Sequence, residues 1–203
     1  KCYENSSKKD GFTEHDRLGG NDIYSSSKAC CELILNAYRK SFCDGRNIIS
    51  VRAGNVIGGG DFGDYRIMTD FFKCLQTKKK LFLRNPSYVR PWQHIFDVLN
   101  GYFMVTEKCF KDPLKYSCSW NFGPEKNGHI MVSELVNLFN DKLTEKVKIE
   151  DISRSEYSEE KFLFLNIEKA KKELGWKPKL KINDVVSYTL DWYLNYFKKN
   201  NSY

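Results

Sequence analysis

Between residues 23 and 57 the sequence changes its apolar period twice. From Ile23 to Phe42, Cys30, Leu33, Ile34, Ala37 and Tyr38 recur at i, i+3, i+4, i+7 and i+8, the stripe of a one-sided helix. The polar turn Asp44-Gly45-Arg46-Asn47 follows. The run Ile48-Ile49-Ser50-Val51-Arg52-Ala53-Gly54-Asn55-Val56-Ile57 then reads as one buried strand entering Gly58-Gly59-Gly60-Asp61. Residues 1–21 are polar and read as a strand end followed by a loop. Strand, helix, strand in this order calls for a parallel sheet with right-handed crossovers. Ligands in such sheets bind beyond the carboxyl ends of the strands, where Asn55 and the glycines fall. The glycines let backbone approach a ligand closely or simply turn the chain. They are not read as a dinucleotide fingerprint, since Gly58-Gly59-Gly60 is taken to lack the G-x-G-x-x-G spacing and the acidic residue further on.

The remainder continues the alternation. A helix is expected over 67–78, a short strand and turn over 81–86, and a helix over 96–109. A strand stopped by Gly123-Pro124 follows, then a helix over 132–143 with Ser133 as its cap. A strand is expected near 147–149 and an extended piece over 162–166. A helix over 167–174 is stopped by Gly175, and the last helix runs over 182–196.

Composition excludes several classes. A chain of 203 residues with 41% hydrophobic and 29% charged residues suits an ordinary globular core. The net charge of +7 is spread over scattered lysines, with no nucleic-acid module. Seven cysteines without paired spacing point to free thiols in a reducing cytosol, hence a cytoplasmic protein. No apolar run approaches the length of about 20 residues that spans a bilayer. A first residue other than Met leads to the expectation of a piece of a longer chain.

Chemistry concentrates at two places. Tyr24 and Lys28, four apart, share a helix face off the apolar stripe, so a phenol and an ammonium point at one spot. A neighbouring cation favours the phenolate, which makes the pair suited to proton transfer; the alternative is a solvated helix pair. Arg90-Pro91-Trp92-Gln93-His94-Ile95-Phe96-Asp97 is the second. Arg90 suits bidentate binding of phosphate oxygens, or else an ion pair with Asp97. His94 is at least as well explained as structural, and His15 and His129 have no partner at metal or triad spacing.

Taken together, Tyr24-x-x-x-Lys28, the run from Arg52 to Asp61, Arg90-Pro91-Trp92-Gln93-His94, Trp120-Asn121-Phe122-Gly123-Pro124 and Leu174-Gly175-Trp176-Lys177-Pro178 resemble the extended short-chain dehydrogenase/reductase family in order and spacing. The likeness covers nearly the whole chain and is greatest to the branch that dehydrates CDP-glucose. Lys1-Cys2-Tyr3-Glu4-Asn5 is similar to the segment after the active-site strand of that branch. The resemblance implies an α/β fold: the C-terminal part of a Rossmann-type parallel sheet plus a small mixed α/β substrate-binding region. Residues 1–60 would belong to the NAD-binding domain and 61–203 mainly to the sugar-nucleotide-binding domain, with about 92–124 returning to the first.

The same resemblance implies NAD as cofactor, CDP-glucose as the sugar nucleotide, no metal, and a homodimer at full length serving deoxysugar synthesis for surface polysaccharide. Tyr24 would take the proton of the sugar's 4-hydroxyl, and Lys28 would support it and hold the nicotinamide ribose. Lys1 would stand where dTDP-glucose dehydratases carry a catalytic Glu. Asn55 would contact substrate and Arg90 would clamp its diphosphate. The phosphate-binding glycine loop of the family would lie upstream, so these residues alone are expected to bind little NAD and turn nothing over. A 4-epimerase or decarboxylase on the same scaffold, or a non-catalytic binding module, are the other readings.

Overall fold

In a computed structural model of the chain, residues 2–4, 8, 10–42, 48–152 and 160–200 are described. Helix α1, Ile23–Phe42, starts where Asp22 accepts hydrogen bonds from the Ser25 amide (2.8 Å) and hydroxyl (2.6 Å), a side-chain cap for otherwise orphaned amides. Its length is as the periodicity predicts, but its docking is not. The expected core stripe faces outward, with Leu33 and Ile34 each 57% exposed and Tyr38 53%. The buried side is Ser25, Ala29 and Glu32. The wall beneath it offers Arg52, Ser50 and Ser119 as hydrogen-bond donors to Glu32, so a small and polar face fits there better than an apolar one.

The run read as one strand is two, β1 (Ser50–Ala53) and β2 (Asn55–Ile57), in different sheets. Gly54 makes the switch: its amide still donates to the Phe122 carbonyl (3.0 Å), while a Cβ there would lie 2.6 Å from the Pro91 oxygen. Only glycine lets the two backbones approach so closely.

Helices and strands then alternate. Helix α2 (Ile67–Thr77) carries the chain from β2 to β3 (Leu81–Leu83), which leads to β4 (Val89–His94). After β4 come α3 (Ile95–Lys111), the single turn α4 (Pro113–Tyr116) and β5 (Ser119–Phe122). Next are β6 (His129–Met131), α5 (Val132–Asp141) and β7 (Ile149–Asp151). A π-helical turn, Ala170–Leu174, is ended by Gly175 at φ 71°, and α6 (Ile182–Asn200) follows. Strand β1 pairs in parallel with β5, β2 with β4, and β3 with β7; β6 runs antiparallel to β4.

Two boundary expectations are corrected. Ser133 is not the cap of α5: Met131 holds that position, and its amide donates to the Glu134 carboxylate at 2.7 Å. The strand expected near 147–149 starts later, because the Val147 backbone is bonded in both directions by the Asn140 side chain (2.9 and 3.0 Å).

One core gathers Phe71, Phe72, Leu135, Phe139 and Tyr193 from α2, α5 and α6. A second surrounds Trp120, Phe122 and Trp176 under α3. The six described cysteines are free thiols, and Cys43 lies outside the described residues. Among the described residues no helix is long and apolar enough to cross a membrane.

Candidate active site

A cavity of about 840 Å³ lies at the junction of β1 and β2, and Tyr24, Lys28, Asn55 and Arg90 all line it. The cap at Asp22 sets where α1 begins, and Tyr24, Lys28, Cys31 and Glu32 of its first turns line the cavity. There the Lys28 ammonium sits 5.4 Å from the centre of the Tyr24 ring. Tyr24 is 59% exposed. Among the described residues, neither its hydroxyl nor the ammonium is held by a hydrogen bond or ion pair.

Asn55 opens β2, opposite Trp92 in the register of β4. Trp92 is buried and donates from its indole to the Ile130 carbonyl (3.2 Å), so it is a wall of the cavity and not a free group. Arg90 lies over the Tyr88 ring, 5.2 Å from its centre, and its Nη1 donates to the Val89 and Glu160 carbonyls, each at 2.9 Å. The ion pair considered with Asp97 is not what Asp97 makes. That carboxylate is buried and accepts from the Lys179 and Leu180 amides, both at 3.0 Å. His94 is structural: its Nδ1 accepts from the Phe96 amide (3.2 Å) at the start of α3, and burial pushes its pKa below the ordinary value. His15 and His129 do not line the cavity. Lys1 lies outside the described residues, although Cys2 beside it lines the cavity.

The glycine run needs a different reason from its composition. Gly58, Gly60 and Gly63 do have G-x-G-x-x-G spacing. Yet helix α2 begins only at Ile67, and side chains occupy the space beside the glycines. A Cβ on Gly58 would meet Ile95 at 2.7 Å, and one on Gly59 would meet Trp192 at 2.0 Å. These contacts explain why Gly58 and Gly59 are glycine, and no helix N-terminus stands where the motif requires one, since α2 begins at Ile67.

Sequence reasoning missed most of the charge in the cavity. Arg52, Arg66 and Arg84 join Lys28 and Arg90 there, against Glu32, Asp61 and Asp70. Arg52 is paired with Glu32 (2.7 Å) and Arg66 with Asp61 (2.9 Å). The cavity therefore carries an excess of cationic groups, which favours an anionic ligand. Arg52 sits inside a buried apolar run, and a charged residue in such a strand is the signal that marks it, since buried charges are paired.

The family profile described as GDP-mannose 4,6 dehydratase matches residues 3–189. A CDP-glucose 4,6-dehydratase of Salmonella typhimurium is 34% identical over 95% of this chain, which spans 56% of that relative. A dTDP-glucose 4,6-dehydratase of Escherichia coli is 24% identical, over 90% of this chain and 50% of its own length. Among solved structures, dTDP-glucose 4,6-dehydratase from Bacillus anthracis, in complex with NAD, aligns with a TM-score of 0.79 at 25% identity, covering 96% of this chain and 59% of its own. UDP-glucuronic acid 4-epimerase from Bacillus cereus aligns at 0.81 with 17% identity, over 96% of this chain and 59% of its own, a likeness of fold. The alternation of parallel strands and helices is thus of Rossmann type, and the chain belongs to the GDP-mannose 4,6 dehydratase family within the extended short-chain dehydrogenases/reductases.

Proposed function

We propose that the protein carrying these residues is an NAD-dependent CDP-glucose 4,6-dehydratase that yields CDP-4-keto-6-deoxyglucose. The observation that carries the reading is the opening of the Tyr24–Lys28 pair into the same cavity as Asn55 and Arg90. The 34% identical Salmonella relative favours CDP over other nucleotides.

Bound NAD would supply the acceptor for the hydride of carbon 4 and return it at carbon 6. Tyr24 and Lys28 fit the nicotinamide-ribose end of that cofactor, being exposed in the cavity and free of other hydrogen bonds among the described residues. No helix opens on the Gly58–Gly63 run, so the pyrophosphate contacts are not assigned to it, and the 203 residues alone are expected to be inactive.

Tyr24 takes the 4-hydroxyl proton as general base. Lys28 places positive charge where the phenolate gains negative charge. Arg90 and Arg84 hold the diphosphate, and Asn55 orients the sugar. Once carbon 4 is a ketone, the carbon 5 proton is acidic and water leaves carbon 6; Lys1 is the group assigned to that step by resemblance. We assign residues 1–60 to the cofactor domain and 61–203 mainly to the sugar-nucleotide domain, with about 92–124 returning to the first. The exposed Leu33, Ile34 and Tyr38 of α1 are the surface assigned to a second copy, and a cytosolic location is part of the same reading.

The test is product analysis of the full-length protein with NAD and CDP-, dTDP- or UDP-glucose. A ketone product lighter by one water, formed fastest from CDP-glucose, is expected. A product of unchanged mass would establish an epimerase instead, and activity in the 203 residues alone would contradict the assignment of the cofactor contacts.

A further inference from the structure

We infer that Glu32, Arg52 and Tyr3 form a positioning relay that holds the Tyr24–Lys28 segment of α1 over the cavity. This inference rests on the dehydratase reading for its kinetic consequence but not for its structural one. Glu32 lies four residues after Lys28 and eight after Tyr24, on the helix face they share. Helix α1 does not dock through its apolar stripe; its buried residues are Ser25, Ala29 and Glu32. The helix is therefore tied to the rest of the fold at polar points, first Arg39, whose Nε donates to the Ile48 carbonyl (2.9 Å), and second Glu32. The phenol and ammonium lie between Glu32 and the Asp22–Ser25 cap.

At the second point the carboxylate accepts three hydrogen bonds. Its Oε2 accepts from Arg52 Nη2 (2.7 Å) and the Ser119 hydroxyl (3.2 Å), and its Oε1 accepts from the Ser50 hydroxyl. Arg52 continues the chain: Nη1 donates to the Tyr3 hydroxyl (2.7 Å), which donates to Asn121 Oδ1 (2.6 Å) on β5. The guanidinium also lies 4.9 Å from the centre of the Tyr3 ring. One fork thus ties together α1, β1, β5 and residues 2–4, the segment next to Lys1.

Both side chains of the ion pair are nearly covered, 8% exposed for Arg52 and 10% for Glu32. Apolar residues of similar volume would stabilise such a site as well or better. What the charged fork adds is direction, because a planar guanidinium bonding two partners fixes both in angle and distance. A displacement of about 1 Å in a catalytic group costs about 100-fold in rate.

The test uses Arg52→Lys, which keeps the charge but loses the fork, and Glu32→Gln, which keeps the shape but loses the charge, both in the full-length protein. Hydrogen exchange without substrate is expected to rise about tenfold or more at the α1 amides between Ser26 and Ile34, with α5 and α6 unchanged. In turnover, kcat for Arg52→Lys should fall about 100-fold while KM for the sugar nucleotide stays within about threefold, because Asn55 and Arg90 stand on other elements. Glu32→Gln should fall between Arg52→Lys and the native protein. Unchanged α1 exchange, or a loss confined to KM, in either variant would overturn the relay. Absence of dehydratase activity in the native protein would overturn the functional reading instead, and the exchange measurement would still decide the tether.

Discussion

Gly59 faces the ring of Trp192 so closely that a single added methyl group has nowhere to go. A Cβ built there lies 2.0 Å from Trp192 Cγ, 2.2 Å from Cδ2 and 2.6 Å from Cβ, whereas carbon atoms in contact sit about 3.5–4.0 Å apart. The backbone of Gly59 is not among the positive-φ positions, so Gly59→Ala tests space alone. The ring cannot slide away freely, since it stacks on Tyr196 at 5.1 Å and 9° and meets Tyr193 edge-on at 5.1 Å. Overpacking of this kind costs about 1–3 kcal/mol. At this length that lowers Tm by about 2–4 °C per kcal/mol, and the neighbouring Gly58 and Asp61 line the cavity. Trp192→Ala alone costs about 2 kcal/mol, below the usual Trp→Ala range because the side chain is partly exposed. If the clash is the cause, the double variant costs no more than Trp192→Ala alone, a coupling of about 2 kcal/mol in a double-mutant cycle. Additive losses, or a Gly59→Ala protein that melts like the native one, would refute the steric argument.

Asp97→Ala leaves the Lys179 and Leu180 amides without their acceptor and should cost about 2–4 kcal/mol in denaturant unfolding, with Asp97→Asn losing about half as much. Acid should destabilise the fold through Glu32. Burial alone would raise its pKa, but hydrogen bonds from Arg52 and Ser50 bring it below the ordinary value. Because the unfolded chain binds that proton more readily, the stability is complete above about pH 4.5 and is lost as pH falls through the lower folded value. His94, held below its ordinary value by burial, adds a loss of the same sign that begins as pH drops below about 6.5. Unfolding midpoints across this range should fall, with a shallower slope at the acid end in Glu32→Gln than in the native protein.

Local pattern carried the helices well. The ends of α1 were legible because its apolar period is clear; the turn expected over Asp44-Gly45-Arg46-Asn47 lies outside the described residues. Its buried side was not, because Leu33, Ile34 and Tyr38 report an apolar face without saying what covers it. The apolar run over 48–57 concealed a change of sheet, although Gly54 in its middle is the residue type that permits one. Tyr24, Lys28, Asn55 and Arg90 were each found as residues, and the structure brings all of them to one cavity. The relay was invisible because its bonds span 118 residues from Tyr3 to Asn121 and 49 from Arg52 to Tyr3. The same holds for the contact of Gly59 with Trp192, which no local period reports.

The central claim is that the Tyr24 hydroxyl moves the proton of the sugar's 4-hydroxyl in the cavity that Lys28, Asn55 and Arg90 also line. Tyr24→Phe in the full-length protein removes that one oxygen from an exposed side chain, so folding should be untouched. The account predicts a fall in CDP-glucose turnover of about 100- to 10,000-fold with sugar-nucleotide binding by calorimetry within a few fold. Turnover within a few fold of the native protein would contradict it.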